Sequence, residues 1–305
     1  MAERGERPPL QAGEPRVAVV IPCFNDGATL GDALRSLHGQ EPHELVVVDD
    51  GSDETETLRV LAQLESGEIR VVREHNRDLA KARMAGVRAT SARYVMPLDA
   101  DDMLAASALT RLADALDAYP EAAVAWGDVA VFGEIESDVR VAPVLDRWHI
   151  TYVSEVPGTS MLRREALLDA GGWRPSGGYE DWDLWMTFAE TGRTGIYVPG
   201  LMIRYRRHAG RLSARSLGVH EGLHAELRPR HELRFERRQA TWRSSAEPLR
   251  TRCLFPLIGA LSFVAPYTKH RLFHLASHPR QLVRLRRLRR RAEARRELDG
   301  VSEGT

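Results

Sequence analysis

The chain has 305 residues, 43% of them hydrophobic, which is enough to bury one large domain with an appendage or two modest domains. Its 43 Lys and Arg residues balance 43 Asp and Glu residues, so the net charge alone identifies no class of partner. Two cysteines, Cys23 and Cys253, exclude a disulfide framework and suit a reducing compartment. The polar start predicts no signal peptide, and no apolar run reaches the length of about 18 residues that a membrane span requires.

The charges are distributed unevenly along the chain. Between Lys269 and Arg296 there are eleven Lys and Arg residues and one acid, Glu293. The rest of the chain holds 32 basic and 42 acidic residues, which gives it a net negative charge. The C-terminal end is therefore a basic segment attached to an acidic protein.

Segments with strand and helix patterns alternate over the first part of the chain. Residues 1–15 are polar and are predicted to be a disordered tail. The apolar runs of "RVAVVIPCFND" and "ELVVVDDGS" are typical of buried strands, and "ATLGDALRSLHGQ" between them repeats leucines at helical spacing. The alternation predicts an α/β fold with a doubly wound, mainly parallel sheet flanked by helices. It weakens after about residue 140, and the later segment "GIYVPGLMIRYRRH" is predicted to form a pair of strands.

Carboxylates follow two of the predicted strands. Asp49 and Asp50 end one strand, and Asp99, Asp101 and Asp102 end another. Ligands of doubly wound sheets bind beyond the carboxyl ends of the strands, so both groups are expected to line one crevice. Asp99 and Asp101 point the same way on an extended chain and can hold Mg²⁺ or Mn²⁺. The alternatives are an acidic helix cap at Asp101 or Asp102, and ordinary turn chemistry in the Asp-Gly-Ser sequence after Asp49.

Cations and acids also occur at the starts of two predicted helices. Lys81 and Arg83 can meet a diphosphate near a helix N-terminus, or they can form a solvated helix face. Glu180, Asp181 and Asp183 crowd the first turn of the helix in "GGYEDWDLWMTFAE". One of these acids can act as a general base, although acids there also suit the helix dipole without any catalytic role.

A histidine ends the basic cluster "YRRHAGRLS". His208 follows an apolar strand and can complete a metal shell of oxygen and nitrogen ligands, although a lone histidine is more often structural.

Taken in order, these segments resemble family 2 glycosyltransferases, which have the GT-A fold. The matching pieces extend over residues 16–213 and are "VVIPCFND", "VVDDGSDE", "NRDLAKAR", "YVMPLDADD", "EDWDLW" and "YRRH". The resemblance implies a GT-A catalytic domain at 16–213. It is followed by a charged helical linker predicted at 214–250 and a basic, partly apolar, helical C-terminal extension at 251–305.

The resemblance also implies a role for each matching residue. Pro22 and Phe24 would contact the nucleotide base, and Phe24 keeps the stacking face of the commoner tyrosine without its hydroxyl. By the same resemblance, Asp50 would read the nucleobase and Arg83 would contact the nucleotide. Asp101 would ligate the metal directly, and Asp99 would support it near the ribose and donor sugar. Asp181 would be the general base, and His208 would contact the metal or the diphosphate. Weaker candidates are Asp49, Asn76, Lys81, Asp102, Glu180 and Asp183.

One loop departs from the family pattern. Asn76 is followed by Arg77 and Asp78, whereas the family often has Asn-x-Gly at this point. Because glycine permits backbone conformations that other residues avoid, the nucleotide preference associated with that loop is not implied for this chain.

The activity that the resemblance implies is transfer of a sugar from a nucleotide-diphosphate donor, a UDP-sugar being favoured, to an acceptor hydroxyl. The enzyme would be an inverting, Mn²⁺- or Mg²⁺-dependent glycosyltransferase of the hexosyltransferase type, active in cell-envelope polysaccharide or glycolipid synthesis. Its acceptor would be a sugar or a lipid-linked sugar. The alternative is a degenerate glycosyltransferase-like module that binds a sugar nucleotide or a partner without turnover. A dehydrogenase is disfavoured because no Gly-x-Gly-x-x-Gly sequence follows any predicted strand.

The C-terminal extension raises the question of a membrane partner. Residues 253–296 combine an apolar run with an arginine-rich helix, which is typical of an interfacial anchor on an anionic membrane. The expected location is therefore the cytoplasm, with a peripheral position at the inner face of the plasma membrane if this anchor binds lipid. A solvated helix packed on the catalytic domain is the main alternative, and nucleic-acid binding is disfavoured because no fold that recognises nucleic acid is evident.

Overall fold

A nine-stranded sheet forms the centre of the protein in the computed structural model. The structure describes residues 14–67, 69–75, 78–134, 136–139, 141–175, 177–207 and 226–278. Residues 1–13 of the predicted disordered tail 1–15, and most of the arginine-rich segment, lie outside these described residues.

The strands of the sheet are β1 (Val17–Cys23), β2 (His43–Asp49), β3 (Arg70–Arg73), β4 (Tyr94–Pro97), β5 (Met103–Leu104), β6 (Ala122–Gly133), β7 (Ser137–Val139), β8 (Met161–Arg163) and β9 (Thr194–Arg207). Their order is β3-β2-β1-β4-β8-β6-β9-β5, and β7 pairs with β6. The pairings among β1, β2, β3 and β4 are parallel, as predicted. The other half is mixed, since β8 runs antiparallel to β4 and β6 while β6 and β9 are parallel. The predicted α/β class is confirmed.

The helices are α1 (Gly27–Arg35), α2 (Thr55–Ser66), α3 (Leu79–Ala89), α4 (Ala108–Ala118), α5 (Arg164–Asp169), α6 (Glu180–Thr191), α7 (Glu232–Glu236), α8 (Arg238–Ser244), α9 (Leu249–Ala260) and α10 (Pro266–Ser277). All seven residues of β1 are buried, which explains its unbroken apolar sequence. Helix α3 packs against β1 and β2. Gly86 allows this close approach, because a side chain there would meet Val20 Cγ1 at 2.2 Å.

The predicted pair of strands before His208 is wrong, because the structure forms one long strand there. Residues Thr194–Arg207 all belong to β9, which pairs with β6. The pairing passes from Trp126 opposite Tyr197 to Asp128 opposite Leu201, so β9 carries extra residues at this point. The Asp128 carboxylate accepts hydrogen bonds from the Tyr197 hydroxyl at 2.6 Å and from the Gly200 backbone N–H at 3.1 Å. The strand therefore absorbs its Pro-Gly sequence as a bulge instead of ending there.

The helices after residue 226 pack onto the α/β region through a second hydrophobic core. Its buried members are Trp148, Tyr152 and Val153 from a loop region, Phe255 from α9 and Phe273 from α10. Within the part of the chain that the structure describes, no helix combines the length and the apolar character needed to cross a bilayer.

Candidate active site

A cleft of about 970 Å³ opens at the carboxyl ends of β1, β2 and β4. Asp50 follows β2, Asp99 and Asp101 follow β4, and Asp181 lies in the first turn of α6. The side chains of all four residues line the cleft. Carboxylates that are up to 131 positions apart in sequence are thus brought to the edge of the sheet where ligands of this fold class bind.

The loop after β1 forms one end of the cleft. Pro22 and Phe24 line it, and Phe24 is 38% exposed, so part of its ring surface is accessible to a ligand. Asn25, which sequence analysis missed, adopts a left-handed backbone conformation with a φ of 58°. Its Oδ1 atom accepts hydrogen bonds from the backbone N–H groups of Asp53 at 3.0 Å and Glu54 at 3.1 Å. Asparagine tolerates this conformation better than most residues, and here it ties the β1 loop to the β2 loop.

The acidic group after β4 has the composition of a site for a hard divalent cation. Asp99, Asp101 and Asp102 each offer an oxygen, and these oxygens lie within 4.8 Å of one another. Asp102 Oδ1 accepts the backbone N–H of Arg206 at 2.8 Å, so Asp102 also fastens the loop to β9. Asp99 and Asp101 line the cleft. Carboxylate oxygens are the ligands that Mg²⁺ and Mn²⁺ prefer, so this donor set fits such an ion.

A buried arginine joins the two acidic regions of the cleft. Arg83 is 2% exposed, and its guanidinium donates hydrogen bonds to Asp181 Oδ1 at 2.9 Å and Asp99 Oδ1 at 3.0 Å. Glu180 Oε1 lies 3.6 Å from the same guanidinium. Burial alone would lower the pKa of Arg83, but the carboxylates of Asp181, Asp99 and Glu180 outweigh it and raise the pKa above its usual value. Arg83 is therefore a fixed cation within the cleft.

The Asp181 carboxylate is held from more than one side. Besides Arg83, the Trp173 indole N–H donates to Asp181 Oδ1 at 3.0 Å. The other oxygen, Oδ2, lies against Gly158, where a built Cβ atom would be only 2.2 Å away. The absence of a side chain at Gly158 thus makes room for the carboxylate.

Glu180, next to Asp181, has a different electrostatic environment. It is 4% exposed and lines the same cleft. Burial, reinforced by the charge of Asp181, raises the pKa of Glu180 to about 7. Glu180 therefore keeps its proton to a higher pH than an ordinary glutamate does.

Four of the weaker candidates lie outside the lining of the cleft, and one of them is Asp102, which fastens the loop to β9. Asp49 Oδ1 accepts the backbone N–H of Ser52 at 2.9 Å, and Asp49 Oδ2 pairs with Arg73 at 2.9 Å. Lys81 is exposed on α3. Asp183 is buried and pairs with Arg174 at 2.6 Å and His231 at 3.0 Å. Although burial would raise the pKa of Asp183, these two partners hold it below its usual value.

Two sequence candidates cannot be located within the cleft. Asn76 and His208 both lie outside the described residues. Their roles remain those that the family resemblance implies.

One further part of the cleft lining was not predicted from the sequence. It includes Glu155 and Gly158 from the loop before β8, together with His274 from α10 and His278 directly after it. A signal was present, because His270, His274 and His278 recur every four residues and so share one face of a helix.

Comparison with known proteins identifies the family. Residues 18–169 match the sequence family described as "Glycosyl transferase family 2". The chain belongs to this family. The matched residues run from β1 to the end of α5 and include Asp50, Asp99 and Asp101, so the resemblance inferred from the motifs is confirmed. Asp181 and the C-terminal helices lie beyond the match.

Curated relatives of this family 2 protein share part of the chain. An "N-acetylglucosaminyltransferase" of Bradyrhizobium elkanii is 29% identical over 130 residues, which cover 40% of this chain and 71% of the relative. "Poly(ribitol-phosphate) beta-N-acetylglucosaminyltransferase TarP" of Staphylococcus aureus is 33% identical over 104 residues, which cover 32% of each protein. The "Uncharacterized protein y4gI" of Sinorhizobium fredii is 32% identical over 158 residues, and the chain spans only 17% of its length.

Solved structures share the fold of this family 2 protein. The TarS 1-349 structure of S. aureus, in complex with UDP-GlcNAc, has a TM-score of 0.53 at 18% identity. This match covers 65% of this chain and 61% of the TarS chain. The mannosyltransferase PcManGT from Pyrobaculum calidifontis, in complex with GDP-Man and Mn²⁺, has a TM-score of 0.53 at 20% identity. This match covers 89% of this chain and 88% of the PcManGT chain. The chain therefore has the GT-A fold of these glycosyltransferases.

Proposed function

We propose that this protein transfers a sugar from a nucleotide-diphosphate donor to an acceptor hydroxyl and inverts the anomeric centre. The observation that carries the proposal is the convergence of Asp50, Asp101 and Asp181 in one cleft of a family 2 GT-A fold. The process would be the synthesis of a cell-envelope polysaccharide or glycolipid. The names of relatives support this setting, since they include TarP and the "Succinoglycan biosynthesis protein ExoO" of Rhizobium meliloti.

The donor would bind across the ends of β1, β2 and β4. Phe24 offers an exposed ring for the base, and Pro22 and Asp50 lie in the same part of the cleft lining. Several relatives are named N-acetylglucosaminyltransferases, and the TarS structure was solved with UDP-GlcNAc. UDP-N-acetylglucosamine is therefore the first donor to test, and GDP-mannose, which PcManGT binds, is the second.

Asp101, with Asp99 beside it, would hold Mn²⁺ or Mg²⁺ near the donor diphosphate. The oxygen donor set supports this assignment, as does the Mn²⁺ in the PcManGT complex. When bound, the cation would neutralise the diphosphate and stabilise the charge that grows on it as it leaves. His208, outside the described residues, is proposed as a further contact to the metal or diphosphate.

Asp181 would act as the general base. Arg83 and Trp173 both donate to Oδ1, which fixes the carboxylate and lets Oδ2 accept the proton of the acceptor hydroxyl. The acceptor oxygen forms a bond to the anomeric carbon as the bond from that carbon to the diphosphate oxygen breaks. Because the attack comes from the face opposite the diphosphate, the product has inverted stereochemistry. A carboxylate is a weak base near neutral pH, but it suffices if the proton moves late in the reaction.

The experiment uses the full-length wild-type protein and the variants Asp181→Asn and Asp101→Asn. Thermal shift with a panel of nucleotide sugars, with and without Mn²⁺, identifies the donor, and release of the nucleoside diphosphate reports turnover. Asp181→Asn should keep donor binding and lose turnover, whereas Asp101→Asn should lose the Mn²⁺-dependent part of donor binding. Lys81→Gln, on the exposed face of α3, is the control and should behave like the wild type.

The outcomes distinguish the alternatives. Wild-type turnover in Asp181→Asn would remove Asp181 from the mechanism. Donor binding by the wild-type protein without turnover on any acceptor would favour a sugar-nucleotide-binding module. Failure to bind any nucleotide sugar would overturn the proposal.

We also infer that the hairpin of α9 and α10 meets an anionic membrane surface, which would place the protein at the inner face of the plasma membrane. Phe263, at the tip of the hairpin, is 84% exposed, and Leu249 and Leu257 on α9 are 66% and 64% exposed. Residues 249–278 include four Lys and Arg residues and no acid. Exposed apolar side chains with flanking cations are typical of an interfacial segment, and each cation near an anionic leaflet contributes about 1 kcal/mol.

Vesicle co-sedimentation tests the membrane contact. The wild-type protein should sediment with vesicles that contain phosphatidylglycerol, and less so with phosphatidylcholine alone or at high salt. The double variant Leu257→Ser/Phe263→Ser should lose sedimentation, while Leu168→Ser, which changes a 49% exposed leucine on α5, should retain it. Equal sedimentation of both variants would remove the hairpin from membrane binding.

A further inference from the structure

The wall of the cleft next to Asp181 is built by two parts of the chain that lie far apart in sequence. One is the loop 154–159, all of whose residues line the cleft. The other is the C-terminal end of α10, where His274 and His278 line it too. The family match ends at residue 169, so α10 belongs to the part of the chain that the family comparison does not describe.

Glu155 is the point at which the two parts meet. Its carboxylate is 2% exposed, and Glu155 Oε1 lies 2.9 Å from His274 Nδ1. Glu155 Oε2 lies 3.1 Å from His278 Nε2 and 3.2 Å from His149 Nε2. We call this group of one carboxylate and three imidazoles, Glu155, His149, His274 and His278, the Glu155 clamp.

The surroundings of the Glu155 clamp are consistent with a fixed ionic contact. Burial would raise the pKa of Glu155, but the three neighbouring histidines, of which His274 is hydrogen-bonded to it, outweigh burial and hold the pKa below its usual value. His149 Nδ1 also faces Glu247 Oε1 at 2.9 Å. Burial would lower the pKa of His149, and its two carboxylate partners instead raise it to about 9.

The aromatic core next to the clamp fixes α9 and α10 on the same segment. Trp148 stacks on Phe255 with ring centroids 5.5 Å apart, and Tyr152 meets Phe273 edge-on at 5.1 Å. The residues just before loop 154–159 are therefore packed under α9 and α10, while Glu155 anchors the loop to the end of α10.

The position of the loop matters for chemistry because Gly158 touches the proposed base. A Cβ atom at Gly158 would be 2.2 Å from Asp181 Oδ2, so the backbone of the loop is in direct contact with that carboxylate. A displacement of the loop changes the space in which Oδ2 can meet an acceptor hydroxyl. Misplacement of a reacting group by about 1 Å can reduce a rate on the order of a hundredfold.

We propose that Glu155 is a positioning residue, and that the Glu155 clamp holds loop 154–159 against Asp181 so that α10 completes the acceptor side of the active site. This inference rests on the proposed function. It assigns His274 and His278 to the wall that an acceptor sugar meets, and it makes the C-terminal hairpin a working part of the enzyme. We expect donor binding to depend little on the clamp, because the proposed nucleotide contacts Pro22, Phe24 and Asp50 come from loops other than 154–159.

The test compares full-length wild-type protein with Glu155→Gln, His274→Ala and His274→Gln. His274 is the safer site, because its side chain is 41% exposed and its replacement leaves no buried cavity. The control is His38→Gln, an exposed histidine after α1. Hydrolysis of the donor is followed by release of the nucleoside diphosphate, since water can replace the acceptor and no acceptor needs to be known.

Glu155→Gln and His274→Ala should lower kcat for hydrolysis about tenfold and leave the KM for the donor within about twofold of the wild type. His274→Gln keeps an N–H donor for Glu155 and should recover part of the loss. A parallel fall in donor affinity would mean a general distortion of the cleft, and an unchanged kcat would mean that the clamp has no positioning role. Either result overturns the inference.

Hydrogen exchange of residues 153–160 reports on the clamp without any turnover. Exchange there should rise in Glu155→Gln and His274→Ala and stay unchanged in His38→Gln; equal exchange in all proteins would overturn the clamp. A wild-type protein that turns over no nucleotide sugar would count against the proposed function instead. The exchange result would still show whether the Glu155 clamp holds the loop 154–159.

Discussion

Arg83 Nη1 donates a hydrogen bond of 2.9 Å to Asp181 Oδ1, across 98 positions of sequence. The same guanidinium donates through Nη2 to Asp99, so one buried cation connects the start of α6 with the loop after β4. The family resemblance implies that Arg83 contacts the nucleotide. Its geometry gives it an additional task, which is to hold the proposed base and the metal-side carboxylates in one arrangement.

Removal of the Arg83 charge is expected to destabilise the fold. In Arg83→Met, the buried carboxylate of Glu180 and the partly exposed carboxylates of Asp181 and Asp99 lose their cation. Removing one partner of a buried ion pair costs about 3–5 kcal/mol. Urea unfolding at pH 7 measures this loss. Arg59→Met is the control, because Arg59 pairs with Glu56 on an exposed face of α2 and such pairs contribute at most about 1 kcal/mol. Equal urea midpoints for the two variants would contradict the role given to Arg83.

The contact between Gly158 and Asp181 predicts a kinetic effect from a single methyl group. In Gly158→Ala, the new Cβ would meet Asp181 Oδ2 at 2.2 Å, so the carboxylate or the loop must move. We expect kcat to fall at least about tenfold while donor binding is retained, because the donor occupies another part of the cleft. The matched control is Gly31→Ala on α1, where a Cβ meets only the flexible end of Arg35 at 3.3 Å. A Gly158→Ala protein with wild-type kcat would show that this contact is not needed for catalysis.

The strand-end carboxylates could be predicted because they depend on local patterns. β1, β2 and β4 are apolar runs, and parallel strands bring their carboxyl ends to one edge of the sheet. Local patterns alone do not decide which member of the Asp49-Asp50 pair faces the cleft, and it is the family resemblance that singles out Asp50. Neighbouring residues of a strand point to opposite sides, and only the folded protein shows that Asp49 meets Arg73 while Asp50 lines the cleft.

The contacts that the sequence did not predict join distant parts of the chain. Glu155 and His274 are 119 positions apart, and no local periodicity links a loop acid to a helix that follows it so late. The single strand β9 was mistaken for two because Pro199 and Gly200 are turn-forming residues. The free-energy cost of placing Pro199 and Gly200 within a strand is offset by the pairing with β6 on both sides of the bulge and by the Asp128 hydrogen bonds. These contacts join distant parts of the chain and are not visible in a local pattern.

A second buried ion cluster predicts a pH-dependent contribution to stability. His231 lies 3.0 Å from both Asp183 and Glu190, and it joins the helical residues after 226 to α6. Burial would lower the pKa of His231, but the two carboxylates raise it above its usual value. A raised folded-state pKa means that the stabilisation is complete below about pH 6.5 and is lost as the pH rises through the folded-state pKa.

His231→Gln should therefore lower the free energy of unfolding by about 2 kcal/mol at pH 6, and by less at pH 9. Urea unfolding of both proteins at the two pH values measures the difference. His43→Gln, which changes a histidine at the start of β2, is the control. A difference between wild type and His231→Gln that grows from pH 6 to pH 9 would contradict the raised pKa of His231.

Glu180 predicts a similar loss of stability with rising pH, but in a more acidic range. Its folded-state pKa of about 7 lies above the usual value near 4.5, because burial and the charge of Asp181 disfavour its ionised form. Between these two pH values the unfolded chain releases the proton and the folded protein keeps it. The folded state is therefore destabilised as the pH rises from about 4.5 to about 7.

Glu180→Gln resembles the protonated carboxyl at every pH, so it should remove this trend. The unfolding free energy of the wild type, minus that of Glu180→Gln, should fall by up to about 3 kcal/mol between pH 4.5 and pH 7 and then remain level. Glu54→Gln, at another acid that lines the cleft but is exposed, is the matched control. If the difference for Glu180→Gln is flat, Glu180 is already ionised well below pH 7, and the nearby charge of Arg83 then outweighs its burial.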